Sequence, residues 1–348
     1  MTTGDGAVVG TTQIVNNGPR TGRWNVVIMG DGYTSHQLTQ YRDDAQRTCE
    51  AFFDTVPFDQ KASFINVFRV DVRSTDSGAD DPAGCGGTGA TARTYFDATF
   101  CSNNLRRLLV VNQNTALAVA DDEVPEWHAV LVLVNSTVYG GSGGAVAVSS
   151  LATGAQEIAL HELGHTAFGL ADEYDHLASC EEEGHDDYTG AEPMEPNVTK
   201  ASTRATIKWR DQILQSTTVP AMRNPDCSKC DRRPSPVPAG TVSAFEGARY
   251  FKCGLFRPEY TCKMLELGRP FCAVCRRRIL RTLPTTVPSV RERSAAAAGT
   301  AVRNAGLNPR FIGSTGSNAW VFSQSPAAGT VVQAGSTVTM RTRTGPIP

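Results

Sequence analysis

His161-Glu162-Leu163-Gly164-His165, running on through Thr166-Ala167-Phe168-Gly169 to Leu170-Ala171-Asp172-Glu173-Tyr174, decides how the rest of the chain is read. On a helix, side chains four residues apart lie one above the other, so His161 and His165 can turn both imidazoles toward a single metal ion. Glu162, beside the first, then lies within reach of a water on that ion. The flanks agree with a helix. Thr153 followed by Gln156 reads as a capping box, and Ala155, Ile158, Ala159, Leu160, Leu163 and Ala167 are apolar at helical spacing. Gly169 supplies a left-handed stop.

Two histidines four apart with an intervening glutamate as general base form the pattern of a zinc peptidase, so Zn2+ is the expected cofactor. In the zincins called metzincins the helix ends at a glycine and a third ligand follows three residues later. That count gives Asp172, with Glu173 as the alternative. His176 and His185 have suitable chemistry but not the spacing. The helix carries one more residue before its glycine than the usual metzincin form, and an acid replaces the third histidine. Metzincins also place a methionine turn beneath the metal, and Met264 in Tyr260-Thr261-Cys262-Lys263-Met264 is the candidate. Tyr260 or Tyr174 is expected to stabilise an oxyanion. Upstream, Tyr139 to Gly144 is glycine-rich and leads into Ala145 to Ser149. Read as the edge strand that pairs with an extended substrate, this stretch makes Gly143, Gly144, Ala145 and Val146 candidate substrate-binding residues.

The 348 residues suffice for two domains with buried cores. A net charge of -2 gives no electrostatic case for a nucleic-acid partner, and no segment is apolar for long enough to span a bilayer. Ten cysteines point to disulfides in an oxidising compartment, hence a secreted protein. Met1-Thr2-Thr3-Gly4 has neither a basic start nor an apolar stretch, so a leader removed ahead of this sequence is expected. The cysteines of Cys227/Cys230 and Cys272/Cys275 are expected in disulfides, with the pairing open, ahead of a four-thiolate zinc site.

In chain order, a lead-in of about twenty residues, irregular or a short edge strand, precedes a strand at Asn25 to Met29, a helix carrying Tyr41, Ala45, Cys49, Phe52 and Phe53, and a strand at Phe64 to Val70. Cys85 and Cys101 are placed to staple a long loop. Leu108 to Val111 and Ala129 to Asn135 read as buried strands. The acidic run Glu181 to Asp187 reads as solvated loop ahead of a calcium site, and Asn197-Val198-Thr199 fits the glycosylation pattern. Arg276 to Arg281 reads as the exposed face of the domain's last helix. Pro284 to Pro288 marks a linker, after which come a helix from Ser294 to Ala305, closed by Gly306, and three short strands.

Met29 to Thr34, Asn135 to Gly144, His161 to Tyr174, Pro196 to Thr199, and Phe256 through Met264 to Cys275 together resemble the IgA-peptidase family of bacterial zinc metallopeptidases, over roughly residues 20 to 283. The resemblance implies a secreted endopeptidase of metzincin-like α/β fold, with a twisted mixed sheet and an active-site helix. Residue by residue, it makes His161, His165 and Asp172 zinc ligands and Glu162 the catalytic acid-base group. The tail, from Val287-Pro288-Ser289-Val290 through Gln324 to Thr330 and Gly335 to Val338, looks like a PASTA domain, a small α+β module associated with peptidoglycan. Expected domains are therefore a peptidase at 1–283 and a PASTA-like unit at 284–348, with a protein or peptide as substrate and peptidoglycan as partner. Rival expectations are a wall-binding protein with a structural zinc site and a zinc amidase acting on peptidoglycan stem peptides.

Overall fold

The computed structural model describes residues 3–346; the outer ends of both expected domains, 1–2 and 347–348, lie outside the described residues. The lead-in becomes strand β1, Gly6–Val15. Then follow β2, Trp24–Asp31, α1, Leu38–Asp54, and β3, Ile65–Ser74. Next come α2, Gln113–Glu123, and β4, Ala129–Val134. The two-residue β5, Gly141–Ser142, and β6, Ala147–Ser150, lead into α3, Ala155–Phe168. One six-stranded sheet takes the order β1-β3-β2-β4-β6-β5. It is mixed, since β2, β4 and β6 pair in parallel and β5 runs against β6.

The apolar runs end up in the middle of this sheet. Every residue of β2 and β4 is buried, which their unbroken hydrophobicity requires of strands covered on both faces. Alternate side chains divide between two layers. On one face, Val27, Met29, Val130 and Val132 join Ala116, Val119 and Ala120 of α2 in the core. On the other, Val26, Ile28 and Leu131 meet Cys49 and Phe52 of α1 and Ala159, Leu160 and Leu163 of α3.

Leu108 to Val111 is not a strand of this sheet. It makes only isolated bridges, Leu108 to Gly141 of the edge strand β5 and Val110 to Thr99 of the long 74–101 loop, so it touches the sheet at one residue and otherwise fastens the loop. Cys85 and Cys101 do staple that loop. Asp31 anchors it further, accepting hydrogen bonds from the Phe96 and Ala98 amides at 3.1 and 3.2 Å. The cysteines that follow pair across long distances and not within their Cys-x-x-Cys spacings. Cys180 bonds Cys230, Cys227 bonds Cys253, and Cys49, Cys262, Cys272 and Cys275 are free thiols. Cys227 and Cys230 are thus in disulfides as expected, Cys272 and Cys275 are not, and the four-thiolate site is set aside.

Past α3 the chain is largely irregular until a hairpin of β7, Phe245–Ala248, and β8, Phe251–Arg257, followed by α4, Ala273–Thr282. A second compact unit comprises the chain from Ile279 onward together with Val15–Trp24 and Lys61–Asn66. Within it β9, Thr285–Thr286, precedes α5, Ala295–Asn304, whose first turn is capped by Ser294 and whose end is followed by Gly306 at φ 73°. Strands β10, Asn308–Ile312, β11, Ala319–Ser325, and β13, Thr337–Thr344, form a three-stranded sheet in the order β10-β13-β11. The short β12, Val331–Val332, pairs with β9. Ala298, Val302, Val321, Val338 and Met340 fill this unit's own core. No described helix is long and apolar enough to cross a membrane.

Candidate active site

α3 starts without the capping box read from Thr153 and Gln156. Its N-cap is Gly154 at φ 83°, a backbone state glycine adopts at little cost, and no side chain caps the first turn. Its other end is as expected. Gly169 sits at φ 60°, with its amide on the His165 carbonyl at 3.0 Å and the Leu170 amide on Gly164 at 3.1 Å. That turn sends the chain back beneath the helix and brings Asp172 to both histidines. Asp172 Oδ1 lies 3.0 Å from His161 Nε2 and 3.2 Å from His165 Nε2, and the two Nε2 atoms are 3.1 Å apart.

Hydrogen bonding fixes what these three atoms are. His161 Nδ1 faces the Lys263 carbonyl at 3.0 Å and His165 Nδ1 the Leu170 carbonyl at 2.7 Å. Carbonyls only accept, so each Nδ1 carries the hydrogen and each neutral ring offers a bare lone pair at Nε2. Asp172 Oδ1 is buried and accepts no hydrogen bond among the described residues. Three acceptors thus converge on one point, and only protons or a cation can relieve their repulsion. Burial works against charging the rings, yet Asp172 raises both, His165 to about 9. Burial likewise opposes ionisation of Asp172, but the imidazoles outweigh it and hold the carboxyl well below its usual range. A divalent ion about 2.1 Å from each donor needs donor separations of about 3.4 Å in tetrahedral geometry, close to those present.

Each ligand candidate is held from behind. Tyr250 donates to Asp172 Oδ2 at 2.5 Å, and the Arg249 and Tyr250 amides donate to the Asp172 and Tyr174 carbonyls at 3.0 and 2.9 Å. Arg249 and Tyr250 form the β7–β8 turn with φ of 52° and 72°, unusual for residues with side chains. Asn197 latches the same stretch. Its Nδ2 donates to the Ala171 carbonyl at 2.8 Å and to Glu173 Oε1 at 2.9 Å, and its Oδ1 accepts from the Ala171 amide at 2.9 Å. Fully buried and bonded in this way, Asn197 is not a glycosylation acceptor.

Glu162 points into the cleft that contains the cluster. Burial raises its pKa, partly offset by His161 and His165. The cleft, of about 570 Å³, is also lined by Gly143, Gly144, Arg107, Tyr174 and Tyr250. Arg107 donates to the Tyr174 hydroxyl at 3.4 Å and to the Leu177 carbonyl at 3.0 Å. A Cβ on Gly143 would come within 2.5 Å of His165 Cβ, so glycine there is a steric requirement of the histidine's position. Met264 is fully buried under the helix, and a Cβ on Gly164 would meet its sulfur at 2.7 Å.

Some expected residues lie elsewhere. Tyr260 donates to the Arg233 carbonyl at 2.8 Å, outside the cleft. Val146 is a core residue, because the strand before α3 is flanked by β5, leaving Gly141–Ser142 and not Ala145–Val146 at the sheet edge. The Ala145 amide is taken by the Gln113 side chain at 3.0 Å. Glu173 faces away from the histidines toward three cysteines. His176 is paired with Asp175 at 2.8 Å, and His185 packs against Phe251. In the acidic run, Asp186 pairs with Lys252 Nζ at 2.9 Å. Arg107 and Tyr250 escaped the sequence reading; nothing in their spacing ties them to the histidines.

Convergent acceptors beside a buried carboxylate, in an open cleft, could hold a metal ion. Residues 12–233 and 235–283 match the family described as IgA Peptidase M64, and the chain belongs to that peptidase family. Residues 285–344 match the PASTA domain. No curated protein matches the chain.

Proposed function

We propose that the chain is a secreted bacterial zinc-dependent endopeptidase of metzincin-like fold, with a peptidase domain over residues 1–283 and a PASTA-like domain over 284–348 that directs it to peptidoglycan. The observation that carries this reading is the meeting of His161 Nε2, His165 Nε2 and Asp172 Oδ1 at the open cleft that Glu162 lines. Only these three side chains group there among the described residues, which leaves a coordination position for water or substrate and weighs against a closed structural site. His161, His165 and Asp172 would hold a zinc ion, which would supply Lewis-acid polarisation of the scissile carbonyl and a lowered pKa for water. Glu162 accepts the proton of the attacking water and delivers it to the leaving amine. Gly143 and Gly144 let an extended backbone approach, while Tyr174, braced by Arg107, donates to the developing oxyanion in place of Tyr260.

The test is digestion of casein and of purified cell wall by the full chain, with and without chelator. Cleavage of casein that chelator abolishes and added zinc restores is expected. Release of stem peptides from wall without casein cleavage would favour the amidase reading. Sedimentation of the chain with purified wall checks the targeting. Tyr174→Phe is expected to lower kcat on a fluorogenic peptide about 10²-fold with KM little changed, since the donor acts on charge that develops after binding.

A further inference from the structure

Three of the four free thiols lie together. Cys262, Cys272, Cys275 and the carboxylate of Glu173 form a fully enclosed group whose sulfur and oxygen atoms are all within 4.8 Å of one another. We infer that these four side chains bind a second divalent metal ion of the zinc class, in a closed structural site separate from the histidine cluster.

The distances discriminate between a metal site and a disulfide. Cys262 Sγ and Cys275 Sγ are 3.8 Å apart, against about 2.05 Å for a bonded pair. Glu173 Oε1 is 3.4 Å from Cys275 Sγ and 3.8 Å from Cys272 Sγ. With metal–sulfur bonds of about 2.3 Å and a metal–oxygen bond of about 2.1 Å, a tetrahedron has sulfur–sulfur edges of about 3.8 Å and sulfur–oxygen edges of about 3.6 Å. Elsewhere in the chain, cysteines that meet are bonded to each other, so a trio in contact and unbonded needs another reason.

The surroundings suit thiolates. The amides of Cys272 and Met264 point at Cys262 Sγ from 3.2 and 3.5 Å, and the Cys275 amide at Cys272 Sγ from 3.4 Å. Glu173 Oε2 is buried and has no hydrogen-bond partner among the described residues, since the nearby Arg257 guanidinium attracts the carboxylate but donates to the Glu246 and Gly247 carbonyls instead, a costly state unless a bound cation is shared. Three thiols and one carboxylate fill four positions, which defines a structural site and not a catalytic one.

Its placement gives it a task. The 262–264 turn supplies the Lys263 carbonyl that orients His161, accepts the Glu173 amide on the Met264 carbonyl at 2.7 Å, and sets Met264 beneath Gly164. A metal joining Cys262 to Glu173 and α4 would lock this turn against the residue following Asp172.

The test is metal analysis of the full chain expressed in zinc medium, then in cobalt. About two zinc per chain are expected, falling to about one in His161→Ala and to about one in Cys275→Ser. Cobalt should give an intense near-ultraviolet thiolate-to-metal band that His161→Ala retains and Cys275→Ser lacks, because the histidine cluster contains no sulfur. Should Cys275→Ser fail to fold, a mercurial thiol reagent added to the unaltered protein should release one zinc equivalent. The inference is overturned if the unaltered chain binds one metal with no thiolate band, or if peptide mapping finds a disulfide between any two of Cys262, Cys272 and Cys275. Persistence of the band in His161→Ala separates this site from the peptidase reading.

Discussion

Glu162→Gln is expected to retain its zinc and to lose about 10²–10⁴-fold in kcat/KM on a fluorogenic peptide, the range that a positioned general base contributes. The amide has the carboxylate's shape, so the packing around Gly141, where a Cβ would come within 2.9 Å of Glu162 Oε1, is undisturbed. What disappears is the capacity to take a proton. The pH profile carries a second signature. Burial raises the Glu162 pKa above the ordinary carboxylate value, and a base works only when deprotonated. Activity of the unaltered chain should therefore fall as pH drops through that raised value, giving an acid limb nearer neutrality than that of an exposed glutamate. Metal analysis checks the first half of this expectation, and the profile of kcat/KM against pH checks the second. Full activity in the metal-loaded variant would rule Glu162 out as the base.

How much of this was legible in the sequence depends on how local each signal is. β2 and β4 stood out because strands buried on both faces are continuous apolar runs. The same reasoning misread Leu108 to Val111, an apolar run used to pin a loop. α2 went unnoticed, since it buries little more than Ala116, Val119 and Ala120, and alanine contributes weakly to a hydrophobic pattern. The histidines and Gly169 were readable because helical spacing and a left-handed stop are encoded within a few residues. Tyr250 and Arg107 reach the cleft through the β7–β8 turn and the loop before α2, connections that only tertiary structure makes. Cysteine pairing was not legible for the same reason. Cys227 and Cys230 are neighbours in sequence, but their partners, Cys253 and Cys180, arrive from different segments.

The neighbouring acids Asp172 and Glu173 provide the sharpest separation, because adjacent carboxylates face different clusters. Asp172→Asn should weaken zinc at the histidine pair by more than the 10–100-fold typical of losing an outer hydrogen-bond partner, and activity at limiting zinc should fall in proportion. The amide keeps the shape but not the charge. Without that charge the two imidazoles also lose the attraction that raises their pKa values, so protons compete less for Nε2 and the weakening reports the lost anionic donor. Tyr250 would still have an oxygen to donate to, which keeps the β7–β8 turn docked, so the loss reports on the metal site and not on unfolding. Zinc affinity from competition with a chelating dye, measured alongside the far-ultraviolet circular dichroism of the same sample, gives the answer. If Asp172→Asn binds zinc as tightly as the unaltered chain, the third donor is not Asp172, and the geometry at His161 and His165 must be completed by another residue.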